Sequence, residues 1–138
     1  MHNLELNTKD QILDLIYSHG KDKMASIQFH EDPSHGWLQV PKKLLVQLGI
    51  LNKITPYSYE DNIYAYLEED CDLFVFLKAL GFDYTDEEGK DKIEIFWELV
   101  PQNHTDFSSP IRKLQRYKQI SEPIKAENKI ILQQLTIF

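Results

Sequence analysis

The sequence predicts an α+β domain: an antiparallel sheet of about five strands with two or three helices packed on one face. Three observations lead there. Segments of helical period and segments of strand period interleave along the chain. The stretches joining them are too short for repeated parallel crossovers. And 138 residues with 42% hydrophobic content supply one core rather than two. Residues 1–138 are therefore expected to form a single domain.

The elements follow in order. Thr8-Lys9-Asp10-Gln11 has the form of a capping box, and Ile12, Leu13, Ile16 and Tyr17 recur at helical spacing. This predicts a helix from about Lys9 to His19, stopped by Gly20. Met24 to Phe29 reads as a strand. After the polar loop HEDPSHG, Trp37 to Val40 reads as a second. Pro41 suits the first turn of a helix carrying Leu44, Leu45 and Leu48, which Gly49 ends. Tyr57-Ser58-Tyr59 and Ile63 to Leu67 flank Glu60-Asp61-Asn62 as a hairpin with aromatics at period two.

A helix of about ten residues, with Leu73, Phe74, Phe76, Leu77 and Leu80, follows the acidic run EEDCD and stops at Gly81. Asp83 to Asp91 reads as a charged loop. Lys92 to Val100 alternates, with Ile93, Ile95, Trp97 and Leu99 on one side, which predicts a strand closed by Pro101. Pro110 to Tyr117 reads as a short helical turn begun by proline. The tail from Ile124 to Phe138 fits a strand or a helix equally.

Composition narrows the function classes. A net charge of −7 and a pI near 5.2 argue against general binding to nucleic acid or anionic membranes. The single cysteine, Cys71, permits no internal disulfide and suits a reducing cytoplasm. MHNLELNTKDQ has no basic region followed by an apolar run, so no secretory signal is expected there. A cytoplasmic location without membrane contact is the expectation.

Three polar constellations are candidates for function. In HEDPSH, His30 and His35 are five residues apart, which on a helix puts them roughly 140° out of alignment at about 100° per residue. Pro33 would also break that helix, so the zincin pattern fails. A loop is still able to gather His30, Asp32 and His35 around a metal; the plainer reading is a turn built on Asp32-Pro33-Ser34 and Gly36. Glu68, Glu69, Asp70 and Asp72 surround Cys71 directly before a helix. They are able to bind a hard cation or act as an acid/base pair, but acidic residues at a helix start are also favourable caps. The acidic neighbours of Cys71 raise a thiol pKa and argue against a nucleophile.

Arg112 and Arg116 are the chain's only arginines. Spaced four apart, they would share a helical face and grip a carboxylate or phosphate, either as a clamp onto the EEDCD corner or as an anion site. The tyrosines at 57, 59, 64 and 66 form a cross-strand patch. Their acidic neighbours fit a core or partner contact better than a nucleotide platform.

Several segments resemble a family of small uncharacterised proteins encoded by bacteriophages and other bacterial mobile elements. They are PSHGWLQV, the LGI of Leu48 to Ile50 with KITPYSY, AYLEEDCD, and Ser109-Pro110-Ile111-Arg112 with Arg116-Tyr117. The likeness covers residues 24–117, which leaves the helix in 1–23 and the tail 118–138 as additions. It carries His35, Gly36, Trp37, Glu68, Glu69, Asp70, Cys71, Asp72, Arg112 and Arg116, and it implies a phage or mobile-element setting without supplying an activity.

The leading expectation is a non-catalytic binding protein that modulates a host protein. It has no cofactor, and its contact surface draws on His30, Asp32, His35, Trp37, Glu68, Glu69, Asp70, Asp72, Arg112 and Arg116. One alternative is a small metal-assisted hydrolase built from HEDPSH and EEDCD, with His30, Asp32 and His35 as metal ligands. Another is an assembly protein that forms homo-oligomers through its C-terminal tail.

Overall fold

The computed structural model describes residues 9–17 and 25–119. The capping box at Thr8, the Gly20 stop and the 124–138 tail lie outside these residues. Helix α1 is Lys9–Ile16, followed by strands β1 (Gln28–Glu31) and β2 (Gly36–Pro41) and helix α2 (Lys42–Gln47). A 3-10 turn at Leu51–Lys53 leads to strands β3 (Tyr59–Glu60) and β4 (Tyr64–Glu68). Helices α3 (Asp72–Ala79) and α4 (Glu87–Leu99) follow, then strand β5 (Gln102–His104), a 3-10 turn at Pro110–Lys113 and strand β6 (Gln115–Arg116).

The fold is α+β, as expected. Among the described residues it has four α-helices rather than two or three, and a mixed sheet of six strands rather than five, in the order β5-β1-β2-β4-β3-β6. Four neighbouring pairs are antiparallel, whereas β1 and β5 run parallel. The extra strands are short and polar: β5 is exposed along its length and β6 has two residues. Neither carries an apolar period from which a sequence reading could infer it.

The alternating segment after Lys92 is a correction. It is the second half of helix α4, not a strand. Residues 94 and 98 are the polar positions on that stretch, and apolar residues fill both periods between them. The helix buries Gly89, Ile93 and Phe96, a spacing of four and three. The deciding signal lies upstream, in the segment read as a charged loop. Asp86 is the N-cap, its carboxylate accepting from the Gly89 amide at 2.6 Å, and Glu87 and Glu88 fill the first turn, where the helix dipole favours them.

The other helices start and stop nearly as read. Pro41 is the N-cap of α2 rather than part of its first turn. Gly49 and Gly81 end α2 and α3 at φ 72° and 84°, a conformation that costs glycine least.

Gly89 is also needed for space. A Cβ there would lie 2.1 Å from the Asp83 carbonyl oxygen. In an open helix, Gly→Ala stabilises by about 1 kcal/mol. Here Gly89→Ala is expected to destabilise instead, by about 1–3 kcal/mol from the forced backbone shift. Urea unfolding midpoints of the two proteins check the sign.

The strands divide their side chains between two clusters, as the pleat requires. Phe29, Leu38, Val40, Ala65 and Leu67 join the main core with Ile12 and Ile16 of α1, Leu45 of α2, Phe76 and Leu77 of α3, and Ile93 and Phe96 of α4. Residues of the other parity, Trp37, Tyr59 and Tyr66, cluster with Ile111, and Tyr64 and Leu114 pack partly against them. The polypeptide from β5 to β6 thus crosses a second, aromatic side of the sheet. That crossing builds the site.

Candidate functional site

HEDPSH and EEDCD meet across the β2–β4 ladder. Trp37 pairs with Glu68 in the register, the Glu69 amide donates to the Gly36 carbonyl at 3.0 Å, and His35 Nδ1 lies 3.7 Å from Glu68 Oε2. Beside them Arg112 and Arg116 close one cleft of about 410 Å³, lined also by His35, Trp37, Tyr57, Tyr59, Glu68, Asp70 and Cys71.

The two arginines are not on a helical face. Ser109 caps the 3-10 turn at Pro110–Lys113 through its Oγ, which accepts from the Ile111 amide, and the chain is extended again by Gln115. Arg112 therefore comes from the turn and Arg116 from β6. Their convergence depends on the aromatic cluster beneath. The Arg112 guanidinium stands 5.0 Å above the Trp37 ring and that of Arg116 4.5 Å above Tyr59, while these two rings meet edge to face at 6.1 Å.

Arg112 does clamp the chain, but onto Asp32 and not onto EEDCD. Arg112 Nε donates to Asp32 Oδ2 at 2.7 Å and Nη2 to Oδ1 at 3.2 Å. The same carboxylate accepts from the amides of Ser34, His35 and Ser109. Its side chain is only 2% exposed. Arg112 first, and then these amides, hold the Asp32 carboxyl far below the usual carboxylate range, against the opposing effect of burial. Asp32 is thus a buried anchor that orients Arg112. Among the described residues, Arg116 donates only to the carbonyls of Pro56 and Tyr57, at 3.4 and 3.3 Å.

The acidic corner also divides its labour. Asp72 is fully buried and does not cap α3, whose N-cap, Cys71, makes no side-chain cap bond. Asp72 Oδ2 instead accepts from the Thr55 amide, Thr55 Oγ1 and Ser58 Oγ. It ties the start of α3 to the segment before β3. Glu68 is half-buried, and burial pushes its carboxyl up against the Asp70 amide that donates to it, with the charges of Asp70 and Glu69 adding to the rise. Burial, then the charge of Asp72, raises the Cys71 thiol, so the thiolate is disfavoured.

The three proposed metal ligands of HEDPSH do not form a cage. His30 Nε2 is hydrogen-bonded to Gln39 at 2.8 Å, Asp32 is taken by Arg112, and His35 faces Glu68. Among the described residues, one set of donors does converge. His35, Glu68, Glu69 and Asp70 each offer an atom, and these lie within 4.8 Å of one another.

The tyrosines separate as well. Tyr59 and Tyr66 are buried cross-strand partners, Tyr64 is half-buried and Tyr57 is 67% exposed. Sequence reasoning missed Phe107, which is 83% exposed. It lines a second opening that shares His35 and Arg112 with the cleft. A lone phenylalanine among serines, aspartate and threonine carries no periodic signal.

Comparisons with family models, curated proteins and solved structures give no match. Among the described residues no helix is long and apolar enough to cross a membrane.

Proposed function

We propose that the chain is a non-catalytic binding protein whose arginine–aromatic cleft takes a protein partner. One observation carries this reading: the only two arginines in the sequence face a single cleft, each stacked on a ring of the Trp37–Tyr59 pair. Arginine, tryptophan and tyrosine dominate the binding energy of protein interfaces, because each combines large contact area with directed hydrogen bonds. Tyr57 in the cleft and Phe107 in the adjoining opening add exposed aromatic surface. The resemblance to phage and mobile-element proteins suggests a host protein as that partner and modulation as the outcome.

The test is affinity capture from bacterial lysate with quantitative mass spectrometry. Wild-type protein is expected to retain a stoichiometric partner, and Phe107→Ala combined with Tyr57→Ala is expected to lose at least nine tenths of it. No stoichiometric partner in repeated captures removes the reading.

A metal-assisted hydrolase is the second reading, favoured by the convergence of His35, Glu68, Glu69 and Asp70. An imidazole with three carboxylates suits a borderline divalent ion, which would activate water. Less than about 0.1 equivalent of metal by elemental analysis, and no thermal shift with zinc, manganese or magnesium, removes it.

A further inference from the structure

The cleft carries both signs of charge. Arg112 and Arg116 reach it from the crossing segment, over Trp37 and Tyr59, and Glu68 and Asp70, with His35 against Glu68, from the end of β4. Arg112 uses Nε and Nη2 on Asp32 and keeps Nη1. Among the described residues no carboxylate reaches Arg116, whose two carbonyl contacts occupy Nη1 alone. A guanidinium has five N–H donors, so both arginines retain donors beyond those in use. Asp70 is exposed, and the Glu68 carboxyl is half-buried without a lysine or arginine partner among the described residues.

Each simple class of ligand leaves one sign of charge unmatched. A polyanion such as nucleic acid meets Glu68 and Asp70 and a net charge of −7. A purely basic segment meets the arginines. An apolar segment would desolvate both charged groups without replacing their hydrogen bonds.

Resting on the binding reading above, we infer that the occupant is an extended peptide segment of the partner carrying an acidic and a basic side chain within four residues of each other. The acidic group takes the free edges of Arg112 and Arg116 by paired hydrogen bonds. The basic group lies against Glu68 and Asp70. Arg112 stands over the Trp37 ring and Trp37 is the direct cross-strand partner of Glu68, so the two charges belong to neighbouring positions of the sheet, within reach of side chains about 7 Å apart on one face of an extended segment.

Panning a random heptapeptide library on immobilised protein tests this. Wild type is expected to enrich, at least tenfold, sequences with Asp or Glu within four positions of Lys or Arg. R116E is expected to lose the acidic requirement, and the double variant Glu68→Gln, Asp70→Asn the basic one. Lys113→Glu, on the exposed neighbouring position, is expected to keep the whole motif. Circular dichroism melts show whether each variant is folded, and Arg116→Gln replaces R116E if the latter is not.

An enriched family without paired charges, no enriched family, or an unchanged motif on R116E overturns the inference. So does fluorescence anisotropy showing tight binding of a twenty-nucleotide oligothymidine that R116E abolishes. A host partner captured by wild type and equally by R116E leaves the binding reading standing and removes only this inference.

Discussion

Replacing Asp32 by alanine is expected to destabilise the protein by about 3–5 kcal/mol, the usual cost of removing one partner of a buried ion pair. That is a large part of the 5–15 kcal/mol that holds a typical domain. The loss has two components. Arg112 keeps its charge with no carboxylate beside it, and the amides of Ser34, His35 and Ser109 lose their acceptor. Asparagine is expected to do little better. Both oxygens of Asp32 accept hydrogen bonds, so an amide nitrogen at either place would face donors with a donor.

The pH dependence has a definite sign. The folded-state pKa of Asp32 lies below its unfolded value, so the native state binds the proton less readily than the unfolded chain. The stabilisation is complete above the unfolded carboxyl value near 3.9 and is lost as pH falls through and below it. Urea unfolding at pH 7 and at pH 3 is expected to show a wild-type loss that is smaller by about 1 kcal/mol in Asp32→Ala, the remainder belonging to the other carboxylates. Equal acid sensitivity in both proteins would refute the assignment.

Asp72→Ala is expected to cost about 2–4 kcal/mol by leaving the buried Ser58 hydroxyl and two half-buried Thr55 donors without their acceptor. Here asparagine behaves differently. All three donors converge on Oδ2, while Oδ1 has only the Cys71 thiol nearby at 3.7 Å. An asparagine is able to put its oxygen toward Thr55 and Ser58 and its nitrogen toward the weak sulfur acceptor. Asp72→Asn is therefore expected to keep more than half of the stability that alanine loses. The two aspartates thus separate by one measurement, the ratio of the asparagine effect to the alanine effect: near one for Asp32, below one half for Asp72.

What could be read from the sequence follows from how local each signal is. Helices α2 and α3, the β3–β4 hairpin and the turn at Asp32 are set by neighbours within a few residues, and the structure places them where apolar spacing, glycine stops and period-two aromatics predict. The segment after Lys92 failed because Ile93, Ile95, Phe96, Trp97 and Leu99 satisfy two periods at once, and the arbiter, Asp86 as N-cap, sat in a stretch read as loop. The meeting of HEDPSH with EEDCD depends on the Trp37–Glu68 register, and Arg112 finds Asp32 across 80 positions. Neither pairing leaves a trace in local composition. The candidate residues were thus visible, while their partners were not. Arginine rarity pointed to the two side chains that line the cleft and to the wrong carboxylate.

The stretch 102–116 forms both outermost strands of the sheet, β5 beside β1 and β6 beside β3. It acts like a buckle passed under a belt, with a catch at either margin. Unfastening it would bare the hydrogen-bonding margins of β1 and β3 together, along with the rings it covers. Bared strand margins recruit other chains. A protease cut near Phe107 would separate the two catches, leaving β5 held by its ladder to β1 and β6 by its ladder to β3.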